Sequence, residues 1–170
     1  LAEAEFFRVR WSQRILDETG AALDKIFAER GFEDASARAA RSVEAMHRAF
    51  PEALVEAHAS VAAITFGLHD ANDEHVLAAA VQTQAQAVVT ENINDFPAAI
   101  LAPLNIEART ADEFIADTIA LDEGKAVAAI RTLRIRLKRP EMSNEDYLRS
   151  LEAHGLFVTA SILSGHAESI

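Results

Sequence analysis

The sequence predicts an α/β domain followed by an all-helical extension. Within residues 65–97, an alanine-rich apolar run at 75–81 is typical of a buried helix, and QAVVT at 86–90 has the β-branched density of a short buried strand. From Asp122 onward, helical patterns follow one another with no strand signal between them. The helix and strand predict the α/β part, and the uninterrupted helical patterns predict the extension.

The chain before residue 65 is predicted to be mostly helical. Residues 1–9 have the pattern of a helix end, and Ser12 is placed to cap a helix over about 13–30. Gly31 is a natural stop for that helix. A second helix is expected at about 34–49, because a Phe-Pro pair follows it.

Several short elements are predicted around and after the central helix and strand. Residues 54–57 and 62–66 are ambiguous, and the first of these segments is compatible with an edge strand. Residues 98–102 read as a helical turn, and residues 106–108 as a short final strand. These elements would complete the α/β domain.

Capping residues mark where the predicted helices of the extension begin. Thr110 and Glu113 form a capping box that begins a helix through about residue 120. Asp122 caps a helix to about residue 137, which Pro140 interrupts, and Ser143 begins another that stops at Gly155. Residues 156–170 lack a clear pattern and are expected to form a loosely held tail.

Composition excludes several classes of protein. The formal net charge of −11 argues against a protein that coats nucleic acid non-specifically, because phosphate neutralisation needs lysine and arginine. No run of 18 apolar residues exists, and the first ten residues lack the apolar stretch of a signal peptide. The absence of cysteine suits a reducing compartment. We therefore expect a cytoplasmic protein with no membrane partner.

A basic segment interrupts the acidic trend. Residues 125–139 contain six basic side chains and no acid. Arg131, Arg134 and Lys138 share one helical face by spacing. This face has two open interpretations, a contact surface for RNA phosphates and a solvated surface that balances the acidic body.

The remaining chemistry lies in carboxylates. The six glycines form no phosphate-binding loop, no serine lies in a nucleophile elbow, and the histidines lack metal-binding spacing. Asp70 and Asp73 are three residues apart at the start of the central helix, Asp95 follows the next strand, and Glu18 lies in the first long helix. An all-oxygen cluster of this kind suits Mg²⁺ or Mn²⁺. The alternative is that the loop aspartates only cap helices and line turns.

The central stretch resembles a known family. DANDEHVLAAAVQTQAQAVVTENINDFP, at 70–97, is similar to the signature of PIN-domain proteins, metal-dependent nucleases that include VapC-type toxins of toxin–antitoxin pairs. SQRILDE, at 12–18, resembles the family's upstream segment, and residues 111–155 resemble the C-terminal helical piece of one VapC-like subgroup. The resemblance implies a three-layer α/β/α PIN-like domain with a short parallel sheet at 1–109, a helical extension at 110–155 and a tail at 156–170.

The resemblance also implies roles for particular residues. Glu18, Asp73 and Asp95 would be catalytic acids that bind metal, with Asp70 close to the ion. Supporting and RNA-binding residues would complete the site: Thr90 and Asn92 for support, and Arg131, Arg134 and Lys138 for RNA. The cofactor would be Mg²⁺ or Mn²⁺.

The implied function is hydrolysis of RNA phosphodiester bonds by the toxin of a toxin–antitoxin system. The expected partners are an RNA substrate, a cognate antitoxin and a second copy of the chain. PIN domains open with a strand that bears an aspartate, and residues 1–20 contain no such strand. We therefore expect an incomplete sequence, or a compensating strand, and weak metal binding. Two alternatives remain: an inactive or truncated PIN-like scaffold that binds a protein, and a plain helical interaction module.

Overall fold

The computed structural model describes residues 1–56, 61, 64–138 and 141–170. Two long helices dominate its first part, α1 (Gln13–Glu29) and α2 (Ala35–Ala49). The Ser12 side chain caps α1 by accepting a 3.2 Å hydrogen bond from the Ile15 N–H, and Gly31 follows with a φ of 80°. Both predicted helices and both end signals of α1 are confirmed.

Two short pairs of strands accompany these helices. Strand β1 (Trp11–Ser12) pairs in parallel with β2 (Leu54–Val55), and β3 (Ala87–Val89) pairs with β4 (Glu107–Arg109). The Glu107 N–H donates to the Gln86 carbonyl and the Thr90 N–H to the Arg109 carbonyl, so the ladder advances in the same direction along both strands, as in a parallel pair. The predicted strands at 86–90 and 106–108 are therefore confirmed.

The segments between the strands contain one central helix and several shorter ones. Helix α3 (Glu74–Gln82) precedes β3, and helix α4 (Ala98–Leu101) precedes β4. Three-residue 3₁₀ helices occupy Pro51–Ala53, Ile93–Asp95 and Ala102–Leu104. The predicted segments 54–57 and 62–66 lie partly outside the described residues. The predicted break at Pro140 lies outside them.

The C-terminal part is helical, as predicted. It contains α5 (Ala111–Leu121), α6 (Glu123–Arg136), α7 (Asn144–Ala153) and α8 (Phe157–Ser164). Thr110 and Glu113 form the predicted capping box, and the Asp122 and Ser143 side chains accept hydrogen bonds from the N–H groups of Lys125 and Asp146. The structure therefore confirms these caps. They could be predicted from the sequence because each depends on residues only three apart.

The chain divides into two compact units, each with its own core. The α/β unit comprises Arg8–Val88 and Asn94–Ala108, and the helical unit comprises Leu1–Phe7, Val89–Ile93 and Arg109–Ile170. In the α/β unit a cluster of buried residues surrounds α3: Leu68, Leu77, Ala80, Val88, Phe96, Leu101 and Ile106. In the helical unit the buried cluster consists of Ile119, Ala126, Val127, Ile130, Tyr147, Leu163 and Ile170.

The structure corrects two predictions about the chain's ends. The loosely held tail predicted at 156–170 is wrong, because Phe157–Ser164 form α8 and both Leu163 and Ile170 are only 1% exposed. The helix end predicted at 1–9 is reduced to a 3₁₀ turn at Ala2–Ala4, which Glu5 ends in a left-handed conformation. Leu1 and Phe6 then pack on the core of the helical unit, whereas the sequence assigned residues 1–109 to one domain.

Among the described residues, no helix combines the length and the apolar character needed to cross a membrane.

Candidate functional site

Asp73 occupies the N-cap position of α3, but its carboxylate does not cap the helix. The backbone carbonyl of Asp73 instead accepts the Val76 N–H at 2.9 Å. Burial raises the pKa of Asp73, and the negative charges of Asp70, Asp95 and Glu18 raise this pKa further, while His75 opposes them. Asp73 is therefore a half-buried acid at a helix N-terminus, close enough to three other carboxylates to feel their charge.

Asp70 has a local structural task in the same loop. Its carboxylate accepts a 2.8 Å hydrogen bond from the Asn72 N–H, and its carbonyl accepts the Asp73 N–H at 3.1 Å. This is an Asx-type turn, which aspartate forms readily. Asp70 thus shapes the loop that delivers Asp73, although its exposed carboxylate keeps further lone pairs.

Asp95 reaches the acids from the segment after β3. It ends the 3₁₀ helix Ile93–Asp95, and the next residue, Phe96, is buried at 4% exposure in the core around α3. Within the described ranges, no hydrogen bond or ion pair engages the Asp95 side chain. Phe96 anchors the turn, and the half-buried Asp95 carboxylate is left available for chemistry.

Glu18 comes from α1 and is held at both carboxylate oxygens. Arg14 Nε donates to Glu18 Oε1 at 2.9 Å, and His75 Nε2 lies 3.1 Å from Glu18 Oε2. Arg14 Nη2 also donates to the Asn72 carbonyl at 3.2 Å. Glu18 is therefore linked to α3 through His75 and to the loop before Asp73 through Arg14.

Glu74 stabilises the loop that leads into the acids. Its carboxylate accepts hydrogen bonds from the backbone N–H groups of Phe66, Gly67 and Leu68, at 2.7, 2.8 and 2.9 Å respectively. Burial alone would raise the pKa of Glu74, but these three donors lower it below its ordinary value. Gly67 has a φ of 86°, a conformation that favours glycine. The Glu74 carboxylate thus serves to stabilise this loop.

Thr90 and Asn92 form a turn in the helical unit. The Thr90 hydroxyl accepts a 3.1 Å hydrogen bond from the Asn92 N–H, and the Thr90 N–H extends the ladder to the Arg109 carbonyl. These bonds account for a supporting role of Thr90 within its own turn. A role for Asn92 in the chemistry stays a prediction.

The four predicted acids thus lie in the α/β unit, and the charges of the other three act on Asp73. Across residues 1–56, 61, 64–138 and 141–170, however, no three His, Asp or Glu side chains converge closely enough to hold a metal ion. In this arrangement Glu18 is engaged by Arg14 and His75, and Asp70 by its own loop. The cluster concentrates negative charge around Asp73.

The basic residues of the extension do not share one helical face, which corrects the sequence interpretation. Helix α6 ends at Arg136, so Lys138 lies beyond it, in an isolated antiparallel bridge with Glu141. Arg134 donates to the Met142 carbonyl at 2.6 Å and therefore fastens the following segment. Any RNA-binding role for Arg131, Arg134 and Lys138 stays a prediction.

Arg131 differs from the other cations of α6. Lys125 lies over the Phe6 ring at 4.7 Å, and Arg136 pairs with Glu3 at 2.7 Å. In the part of the chain that the structure describes, Arg131 has no ion pair or hydrogen bond through its side chain. It is exposed and lines an open groove of about 810 Å³ together with Val127 and His166.

Sequence reasoning did not identify Arg14, Glu74 or His75 as residues that organise the site. Arg14 and Glu18 are four residues apart on a helix, a spacing that favours an ion pair and could have revealed their contact. The contacts of Arg14 with Asn72 and of His75 with Glu18 bridge 58 and 57 residues of sequence. No local pattern encodes such contacts.

Comparison with known proteins finds two family models that match different parts of the chain. A family model described as PIN domain matches residues 1–94, and a second model described as VapC50 C-terminal domain matches residues 111–165. A protein of Mycobacterium tuberculosis (strain ATCC 25618 / H37Rv), named "Putative ribonuclease VapC50", is 43% identical over 58 residues, 34% of each chain. The match therefore spans about a third of the length of that relative. No solved structure matches the chain significantly.

The PIN-domain model covers more than half of the 170 residues, and the α/β arrangement followed by helices confirms the predicted fold class. The chain belongs to the PIN-domain family, with a C-terminal region similar to that of VapC50.

Proposed function

We propose that this protein is a divalent-metal-dependent endoribonuclease, the toxin of a toxin–antitoxin pair. One observation carries the proposal: in a PIN-domain chain, the uncapped carboxylate of Asp73 lies among Asp70, Asp95 and Glu18, whose charges act on it. A half-buried acid surrounded by other acids lowers the stability of the folded state. Destabilising arrangements of this kind are typical of functional sites.

The donor set fits a hard divalent cation. All four side chains offer carboxylate oxygens, which suit Mg²⁺ or Mn²⁺, and no thiolate competes because the chain has no cysteine. A cation would also offset the repulsion that helps to raise the pKa of Asp73. Glu18, Asp73 and Asp95 would hold the ion, with Asp70 beside it. The ion, when bound, supplies an activated water and stabilises charge on the phosphate.

The protein's own contribution is rigid placement of the acids. Asp73 begins α3, whose Leu77 is fully buried, so the helix cannot shift without disturbing the core. The N-terminal end of α3 also favours a negative charge at Asp73. Buried Phe96 fixes the neighbouring Asp95 in the same way. This anchoring limits how far the backbone at Asp73 and Asp95 can move when a phosphate arrives.

RNA is the proposed substrate, in single-stranded or looped form where bases are accessible. Two observations support this choice: the similar mycobacterial protein carries the name "Putative ribonuclease VapC50", and Arg131 offers an exposed cation on an otherwise acidic chain. A cognate antitoxin and a second copy of the chain are the proposed protein partners, and the cytoplasm is the proposed location. These proposals follow from the likeness to VapC-type proteins.

The test is RNA cleavage by the full chain with added Mg²⁺ or Mn²⁺, compared with Asp73→Asn. We expect metal-dependent cleavage by the wild type and none by Asp73→Asn. The matched control is Asp24→Asn, since Asp24 accepts from Ser36 and is not among the groups that act on Asp73. Equal cleavage by the wild type and Asp73→Asn would overturn the assignment of Asp73.

An inactive PIN-like scaffold is the second candidate. The observation that favours it is that no three acidic or histidine side chains of the described ranges converge on one point. In that case the chain would act through protein binding alone. Metal-free and metal-loaded samples would then show the same RNA cleavage, indistinguishable from buffer.

A further inference from the structure

An open groove lies along one face of α6 in the helical unit. Its volume is about 810 Å³, which is within the range typical of ligand sites in proteins. Several lining residues share one face of α6, because positions three or four apart line up along a helix. These residues are Gly124, Ala128, Arg131 and Ile135, and the other lining residues are Glu123, Val127, Thr132, His166 and Ser169.

The part of the groove that comes from the C-terminal segment is held in place by backbone hydrogen bonds. The His166 N–H donates to the Leu163 carbonyl at 2.9 Å, and the Ser169 N–H donates to the His166 carbonyl at 2.7 Å. Ile170 follows directly and is anchored in the core of the helical unit. The groove therefore exists before a ligand arrives, which lowers the entropic cost of binding.

Arg131 is the cation that this groove leaves without a partner. The other basic side chains of α6 contact an aromatic ring, a backbone carbonyl or a carboxylate. Arg131 has no such contact with any residue that the structure describes. Glu123 lines the same groove, but its carboxylate lies 2.7 Å from His166 Nε2. An anionic group of a ligand would supply the counter-charge that Arg131 lacks.

The groove also presents apolar surface and hydroxyl groups. Ile135 is 53% exposed on the groove face, beside Val127 and Ala128. The hydroxyls of Thr132 and Ser169 can each donate a hydrogen bond. A ligand that matches all of these groups combines an anion, hydrogen-bond acceptors and an apolar part. A nucleotide has this combination in its phosphate, its ribose and the face of its base.

We propose that this groove binds one nucleotide of an unpaired RNA strand, with a phosphate at Arg131 and the base against Ile135. The proposal rests on the proposed function, because it gives the RNA substrate a contact surface in the helical unit. Guanidinium binds phosphate oxygens through two parallel hydrogen bonds and does not read the sequence. A base can reach an apolar surface only when it is not paired, so unpaired RNA is the form that fits. This surface holds RNA and takes no part in cleavage.

The first experiment locates the site with three probes: inorganic phosphate, adenosine and AMP. Each probe is titrated into the full chain without divalent metal, and NMR follows the backbone amides of Thr132, Ile135 and Ser169. We expect AMP to shift these amides and to bind more tightly than phosphate or adenosine, because it carries both the anion and the base. AMP binding that leaves all three amides unshifted would overturn the assignment of the groove.

A matched pair of arginine variants tests the phosphate contact. Arg131→Gln should weaken the binding of AMP and of phosphate by about tenfold, because a hydrogen bond to a charged group is lost. Arg136→Gln removes the same charge from the same helix outside the groove, and it should bind both probes as the wild type does. Equal losses from the two variants would show an effect of overall charge and would overturn the role of Arg131.

A second matched pair tests the contact with the base. Ile135→Ser should weaken AMP binding by about threefold, because apolar surface is lost, and should leave phosphate binding unchanged. Leu133→Ser is the control, since Leu133 is 49% exposed on the same helix but does not line the groove. It should change neither affinity. Wild-type AMP affinity in Ile135→Ser would overturn the placement of the base.

The last experiment identifies the source of the nucleotide. Fluorescence anisotropy, again without divalent metal, compares a single-stranded oligoribonucleotide with its duplex and with an oligoglutamate peptide of equal charge. We expect the single strand to bind most tightly, to displace AMP and to bind more weakly to Arg131→Gln. AMP binding that the single strand does not displace would overturn RNA as the source and would favour a free nucleotide. Equal affinity for the peptide would overturn the nucleotide in favour of an acidic protein partner.

The groove and the nuclease activity can fail separately. Cleavage of RNA by the wild type, together with unchanged RNA and AMP binding in Arg131→Gln, would overturn the groove site alone. Binding of AMP and RNA in the groove without any cleavage in Mg²⁺ or Mn²⁺ would overturn the proposed activity and support the groove site. A wild type that binds none of these probes would overturn this inference.

Discussion

Asp112, in the first turn of α5, accepts a 2.8 Å hydrogen bond from the backbone N–H of Thr159, in the first turn of α8. The second oxygen of Asp112 accepts from the Val158 N–H, also at 2.8 Å. One carboxylate thereby satisfies two of the N–H groups that a helix start leaves without partners. Helix α8 obtains its cap from another helix rather than from a neighbouring residue.

Replacing Asp112 with alanine should destabilise the helical unit. Both N–H groups of α8 would lose their acceptor, so we expect the free energy of unfolding to fall by about 1–2 kcal/mol at pH 7. Chemical denaturation followed by circular dichroism measures this change. The control is Asp117→Ala on the same helix, which removes a more exposed carboxylate paired with Arg109 and should cost less. Equal losses from the two variants would contradict the capping role.

The same contact predicts a pH dependence. Burial alone would raise the pKa of Asp112, but the N–H groups of Thr159 and Val158 lower it below the ordinary value of 3.8. An acid whose pKa is lower in the folded state stabilises the fold above the unfolded pKa and loses this effect as pH falls through the folded pKa. The difference in stability between the wild type and Asp112→Ala should therefore shrink below pH 3.8. A constant difference between pH 7 and pH 2.5 would contradict the assignment.

This contact also explains why the sequence did not reveal α8. Several helices that were predicted correctly have local caps, such as Ser12 for α1 and the Thr110–Glu113 box for α5. The cap of α8 lies 46 and 47 residues upstream. Phe157 and Val158 are also exposed, at 65% and 51%, so the helix lacks a clear amphipathic pattern at its start. Whether a helix of this kind forms depends on its tertiary contacts.

Glu74→Gln tests the loop that precedes the acids. The variant loses the charge and one acceptor oxygen facing the N–H groups of Phe66, Gly67 and Leu68. We expect the free energy of unfolding to fall by about 1–3 kcal/mol, because hydrogen bonds to charged groups are among the stronger ones. Thermal or urea unfolding in the absence of metal measures the loss. Glu44→Gln, an exposed position on α2, should leave stability unchanged, and a matching loss there would refute the role of Glu74.

Arg131 and Arg134 should respond differently to substitution. Arg131→Gln should weaken RNA binding, reduce the salt dependence of log K by about one charge and leave stability unchanged. Arg134→Gln should lower stability, because Arg134 fastens the segment at Met142. Filter binding across a salt series, together with thermal unfolding, separates the two. An unchanged salt slope for Arg131→Gln would show that Arg131 does not contact RNA phosphates and would favour the interpretation of α6 as a solvated surface.

The candidate site shows what a sequence can reveal and where it stops. Asp70 and Asp73 lie in one short loop, so their proximity follows from spacing, and Asp95 follows from the end of the adjacent strand. The spacing of Arg131, Arg134 and Lys138 was misleading because α6 ends at Arg136. The forked contact of Arg14 joins two distant segments and depends on how α1 packs. Long-range geometry of this kind requires the folded structure.

The most direct test of a metal site at Asp73 is Mn²⁺ titration calorimetry of the full chain and of Asp73→Asn at neutral pH and low salt. We expect saturable binding by the wild type and its loss in Asp73→Asn. We also expect metal-free Asp73→Asn to be at least as stable as the wild type, because the substitution removes a half-buried charge among like charges. Identical heats and affinities for the two proteins would contradict the claim that Asp73 is the centre of a metal site.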